Sequence, residues 1–219
     1  MTFRLTGTSG GDDFALSQLR LHERARAVAG LERIAGDLLE AATHMTSCFR
    51  QNGKLLIFGN GGSAAQAQHL AAEFVGCFSR KRQALPALAL AADGVVVTSL
   101  ANDFGFASVF ARQLEALGRP GDVAVVISTS GASPNALGGV ASARALGLVT
   151  VGLIGNPDSE LHQLVDVPIV TPSPTPARVQ ELQLIAGHLM CEMVEDALFP
   201  ADTDDEATVE RGSPAPGLL

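Results

Sequence analysis

The chain has 219 residues, enough for one domain with a sizeable buried core. Its formal charge of −8 argues against a reader of nucleic-acid backbones, which needs a clustered basic face. Apolar residues make up 47% of it, with no Trp and no Tyr, so the core must be built from aliphatic side chains and ten Phe.

The opening stretch, residues 1–14, is rich in Gly, Ser, Thr and Asp, has no apolar run resembling a signal peptide, and is expected to be disordered. From about Ala15 to Arg50, apolar residues at Leu16, Leu19, Leu31, Ile34, Leu38, Met45 and Phe49 recur by threes and fours and predict one or two helices. Leu55–Phe58 reads as a buried strand. It leads through Gly59-Asn60-Gly61-Gly62-Ser63 into a helix near 63–77. A strand near 87–91 and a helix near 107–117 follow. Then come a strand at 122–128, a helix at 134–146, a strand at 148–155, a short helix, and a strand at 165–170. Continuous apolar runs alternating with helices mean a parallel sheet covered on both faces, an α/β doubly wound fold. Residues 179–199 form a last helix, apolar around much of its circumference and expected to be buried against another subunit as well as its own sheet. Residues 15–199 are read as a single domain. Residues 200–219, acidic and then rich in Pro, Gly and Ser, are expected to be a disordered tail.

Three widely spaced cysteines, Cys48, Cys77 and Cys191, imply neither a disulfide framework nor a Cys-rich metal site, and suit a reducing cytoplasm. No stretch approaches the ~18 uninterrupted apolar residues of a membrane span. The basic run Arg80-Lys81-Arg82 is expected to be a solvated loop.

In a doubly wound sheet, ligands sit beyond the carboxyl ends of the strands. Two loops there carry suitable chemistry. In Gly59–Ser63 the glycines let a ligand approach the backbone, and Ser63 could cap the helix while donating its hydroxyl. In Ser128-Thr129-Ser130-Gly131-Ala132-Ser133, four hydroxyls and a helix N-terminus could cradle a phosphate without Lys. Each loop taken alone also reads as an ordinary strand-to-helix turn. His69 and Glu73 are four apart, on one helix face, as a metal site, a base with its partner or a surface ion pair would have them. On the last helix Gln180, Glu181 and His188 interrupt an apolar segment. Gln180 and His188 stand about 12 Å apart in helix rise, an awkward span for one ion. His188 also reads as a core histidine, Asn102-Asp103-Phe104-Gly105 as a turn, and His22, His44 and His162 as surface residues.

Taken together, GNGGS, HLAAE at 69–73, NDFGF at 102–106, ISTSGAS at 127–133 and RVQELQLIAGH at 178–188 resemble the SIS (sugar isomerase) family, and within it the phosphoheptose isomerases, over roughly residues 15–199. The resemblance implies a flavodoxin-like, five-stranded SIS fold with N-terminal helices and a long C-terminal one. It implies a homotetramer with active sites at subunit interfaces, converting D-sedoheptulose 7-phosphate to D-glycero-D-manno-heptose 7-phosphate. It further implies one zinc ion per subunit held by His69, Glu73, Gln180 and His188, with Glu73 as base and His188 as acid. Substrate contacts carried over are Asn60, Gly61, Gly62, Glu73, Asn102, Asp103, Ser128, Thr129, Ser130, Ser133 and Gln180, and Ser63 joins them from the first loop. Cys77, Ala132 and Ala177 depart from residues common in the family (Arg, Asn and Asp) and bear on substrate preference.

Three other readings compete. One branch of the family is a non-catalytic scaffold associating with the bacterial replication initiator, and shares the PARVQE segment and LFP near the last helix. It looks degraded at acid/base positions that are intact here. A sugar-phosphate-sensing regulator would need a basic reading head that the first 50 residues lack. An isomerase for another ketose phosphate is the third.

Overall fold

The computed structural model describes residues 10–171, 173 and 175–200, with the side chains of 10–16 and the expected tail beyond Pro200 outside that description. Helix α1 (Gly10–Ala29) passes through a short 3-10 turn (Gly30–Ile34) into α2 (Ala35–Arg50). Thus the last five residues of the stretch expected to be disordered lie in a helix, and residues 1–9 lie outside the described chain.

The remaining elements are β1 (Leu55–Gly59), α3 (Gly62–Val75), β2 (Ala87–Ala89), α4 (Gly94–Phe104), α5 (Val109–Leu117), β3 (Val123–Ser128), α6 (Pro134–Ala145), β4 (Val149–Ile154), α7 (Glu160–Leu164), β5 (Val167–Val170) and α8 (Pro176–Leu198). All five strands pair in parallel, in the order β2-β1-β3-β4-β5. Alternate strand residues feed opposite layers, as the period-two pleat requires. Leu55, Ile57, Val123, Val125, Val151 and Leu153 pack against α2, α3 and α8. Leu56, Phe58, Ala124 and Val126 pack against α5 and α6. The strand order reverses between β1 and β3, so their carboxyl ends define the switch-point crevice of the fold.

Two expectations are corrected by the structure. Helix α4 was not foreseen, and Asn102 and Asp103 are its closing residues, with only the C-cap Gly105 turning at φ 83°. Gly94-Val95-Val96-Val97 has poor helix propensity, yet the Asp93 carboxylate accepts from the N–H groups of Val95 and Val96 and caps the helix.

The second correction concerns the basic run, which is not solvated throughout. The Arg82 side chain is 2% exposed and its Nε donates to Glu195 Oε1 on α8 at 2.8 Å, while Glu195 is 1% exposed. The loop after α3 folds back onto α8 because this carboxylate collects its donors. Phe78 N–H donates to Oε1 at 2.9 Å, and Ser79 N–H, Ser79 Oγ–H and Arg80 N–H to Oε2 at 3.0, 2.8 and 3.2 Å. Arg80 also pairs with Asp196.

Burial alone would raise the Glu195 carboxyl. The N–H groups of Phe78 and Ser79, the Ser79 hydroxyl and the Arg82 guanidinium outweigh it and hold it at about 2, against an ordinary 4.5. A folded-state value depressed below the unfolded one contributes stability that is complete above pH 4.5 and is lost as pH falls toward 2. Wild type should therefore lose on the order of 3 kcal/mol across that window that Glu195→Gln does not lose. Urea titrations at several pH values measure this, and parallel pH dependence in the two proteins would remove the assignment.

Candidate active site

The first loop leaves β1 at Gly59 and starts α3 at Gly62. Gly61 serves as N-cap at φ 56°, a left-handed conformation in which glycine is the least strained residue. Ser63 does not cap this helix. It is 4% exposed and packs under Gly59, where an added Cβ would meet its own Cβ at 2.9 Å. The second loop leaves β3 at Ser128 and starts α6 from Ser133. Ser128 is buried, its Oγ accepting from Gly131 N–H at 2.9 Å, so this hydroxyl shapes the turn. Thr129 and Ser130 line a cleft of about 350 Å³ together with Gly155, Asn156, Ser173 and Val179. Gly155 is required there, since a Cβ would lie 2.4 Å from the Thr129 carbonyl oxygen.

A buried residue absent from the sequence reading ties the two loops together. Asn60 Nδ2 donates to Asn135 Oδ1, and Asn135 Nδ2 donates to Asn60 Oδ1, both at 2.8 Å, with Asn135 only 2% exposed. Gln183, fully buried on α8, donates to the carbonyls of Ser128 and Leu153 at 3.2 and 2.9 Å. The signal for both was present, as an amide directly after the STSGASP turn and a polar residue inside an apolar helix, but neither pattern names a partner.

Helices α3 and α8 run parallel. Gly62 abuts Gln180, Gln66 Nε2 donates to the Gln180 carbonyl at 2.7 Å, and Leu70 abuts Gly187 further along. A Cβ on Gly187 would stand 2.6 Å from Leu70 Cδ2, so this glycine sets how closely the two helices approach. The adjacent residues face one another across the seam, with His69 Nε2 and His188 Nε2 2.8 Å apart. His69 Nε2 lies 3.4 Å from Glu73 Oε1. One ligand atom from each of His69, Glu73 and His188 falls within 4.8 Å of the others. The Phe78 ring backs His188, centroids 5.0 Å apart. Two imidazoles and a carboxylate in one cluster are a donor set that zinc accepts.

Two sets of expected residues are not brought to this cluster within the chain. The Gln180 side chain lies against Gly62, about two helical turns before His188. Asn102 and Asp103 sit exposed at the end of α4, in the layer opposite α3 and α8, Asn102 Nδ2 donating to Asp103 Oδ1 at 2.7 Å.

The SIS domain model matches residues 7–155. A phosphoheptose isomerase of Roseiflexus sp. (strain RS-1) is 47% identical over 169 residues, 77% of this chain and 86% of that protein. The structure of a phosphoheptose isomerase from Neisseria gonorrhoeae superposes with a TM-score of 0.78 at 36% identity, covering 83% of this chain and 98% of that one. Another, from Francisella tularensis, superposes with a TM-score of 0.80 at 30% identity, covering 86% and 100%. A doubly wound sheet with hydroxyl-rich loops at its switch point and a His–Glu–His cluster on two parallel helices thus has isomerases as its relatives, and the chain belongs to the SIS-domain family, in its phosphoheptose isomerase branch.

Proposed function

We propose that the protein interconverts D-sedoheptulose 7-phosphate and D-glycero-D-manno-heptose 7-phosphate through an enediol, as a cytoplasmic enzyme. The observation that carries this reading is the apposition of the Glu73 carboxylate and the His188 imidazole on neighbouring helices. Ketose-to-aldose conversion removes a proton from C1, beside the C2 carbonyl, and returns one to C2. Glu73 is the base that moves the carbon-bound proton, and His188 gives a proton to, and takes one from, the two oxygens. Three of the four residues of the proposed zinc site, His69, Glu73 and His188, lie together in one chain, and Gln180 would have to join them from its place beside Gly62. Zinc held there would act as a Lewis acid toward the enediolate oxygen.

The substrate phosphate rests on Thr129, Ser130 and Ser133, at the start of α6, with Ser128 shaping that turn. Asn60, Gly61 and Gly62 hold the sugar from the facing loop. Asn102 and Asp103 come to the substrate from elsewhere in the assembly.

Spacing supports an oligomer. His69 and Glu73 lie roughly 10 and 16 Å along α3 from its start at Gly62. A site completed by a neighbouring copy, as in a homotetramer, would bridge that separation. Large apolar side chains left exposed on α1 and on or just after α4, among them Leu19, Leu21, Val95, Phe104 and Phe106, offer surfaces for such copies. No helix among the described residues is long and apolar enough to cross a membrane.

Four outcomes are expected. Incubation with sedoheptulose 7-phosphate, followed by NMR, should yield the aldoheptose phosphate. Glu73→Gln should fold and bind phosphate esters yet lose turnover by about 10²-fold or more, and near-normal turnover would dismiss Glu73 as base. Chelation should lower activity and added zinc restore it, with metal analysis of purified protein as the check; full activity in metal-free protein would discard the zinc site. Gly155→Ala should displace the Thr129 carbonyl and raise KM several-fold with a smaller effect on kcat, and an unchanged KM would separate that loop from substrate binding.

A further inference from the structure

Glu195 stands seven residues beyond His188, two turns along the same face of α8. Its carboxylate reaches both partners of the proton-transferring pair. Toward His188, Oε1 accepts the N–H of Phe78, whose ring lies against the imidazole of His188. Toward Glu73, the same oxygen accepts Arg82 Nε–H at 2.8 Å. The two terminal nitrogens of that guanidinium then donate into the last turn of α3. Nη2 donates to the Glu73 carbonyl at 2.8 Å, and Nη1 to the Phe74 carbonyl at 2.8 Å and the Gly76 carbonyl at 3.2 Å.

These carbonyls are ones that a helix end leaves without intrahelical partners, so the guanidinium satisfies the terminus at which Glu73 sits. A planar, five-donor group can do this while keeping one N–H on the carboxylate. A lysine ammonium cannot span the same set. Ordinary fold maintenance would call for a pairing of the helices anywhere along their seam. Here the buried pair acts on the backbone of Glu73 itself and on the ring that backs His188.

We infer that Arg82 and Glu195 are positioning residues for the isomerisation, fixing the Glu73 carboxylate against the His188 imidazole through the end of α3 and the ring of Phe78. The inference rests on the roles of Glu73 and His188 proposed above. It does not involve the phosphate loops, which lie at the opposite end of α3.

The test is steady-state kinetics of full-length Arg82→Lys and Glu195→Gln at a temperature where melting curves show each variant fully folded, with inorganic phosphate binding measured alongside. A displacement of the pair by a fraction of an ångström to an ångström should lower kcat at least about ten-fold, with KM and the phosphate Kd within about two-fold of wild type. Lower melting temperatures with an unchanged kcat in the folded protein would overturn the inference and leave the ion pair purely structural. If neither variant folds, Ser79→Ala carries the test, since it deletes one hydroxyl contact to Glu195 and leaves α3 and α8 intact. It should lower kcat about two- to five-fold at constant KM, and a wild-type kcat there would overturn the inference. Glu73→Gln assayed in parallel separates the failures. An active Glu73→Gln sinks the roles assigned to the pair, and with them the inference. An inactive Glu73→Gln beside a fully active Arg82→Lys sinks only the positioning role.

Discussion

The chemistry proposed for this protein depends on how closely α3 and α8 approach as they run side by side. Gly187 has no Cβ, and Leu70 fills the space that one would need, its Cδ2 only 2.6 Å from that position. His69 precedes Leu70 and His188 follows Gly187, so the contact that seals the apolar seam also brings the two imidazoles to 2.8 Å. Burial and the geometry of the His–Glu–His cluster are thus one constraint. Glu73 joins the pair because a helix places residues i and i+4 on one face. A wider seam would leave three polar side chains on separate surfaces.

The sheet supplies the other half of the site. Because the strand order reverses between β1 and β3, their following loops flank one crevice, and each opens a helix. Buried amides then lock this crevice to the helical layer. The Asn60–Asn135 pair joins the two loops, and Gln183 of α8 grips the Ser128 carbonyl at the end of β3. Amides suit this task because each can donate and accept without carrying a charge into a buried place. The hydroxyl-rich turn after β3 and the helix that carries His188 are in this way parts of one hydrogen-bonded frame.

Much of this was legible in the sequence because it depends on local patterns. Short runs rich in apolar residues, three of them flanked by glycine, revealed all five strands, and hydroxyl-rich turns after β1 and β3 revealed the loops. The i,i+4 spacing put His69 beside Glu73. What escaped depends on contacts between residues far apart in the chain. Arg82 read as a solvated residue of a basic run because nothing local announces Glu195, 113 positions later. Asn135 and Gln183 carry polar groups whose partners only the fold supplies. Helix α4 was hidden by its β-branched run, the Asp93 cap prevailing over weak propensity. The expected cap at Ser63 failed for a conformational reason, since Gly61 takes the N-cap position and Ser63 turns into the first helical turn. The separation of Gln180 from His188 was legible, since residues eight apart on a rigid helix are parted by its rise, and Gln180 lies beside Gly62 accordingly.

The central claim is that a carboxylate on α3 moves the carbon-bound proton of a sugar phosphate while an imidazole on α8 serves its two oxygens. Running the reaction in deuterium oxide tests it most directly, with the product examined by NMR for label at C2. A base that exchanges its proton with solvent while the enediol exists leaves deuterium at that carbon, and the exchange should disappear when Glu73 is replaced by Gln. Labelling at C2, or product formation at the normal rate, that survives the loss of Glu73 would contradict the account.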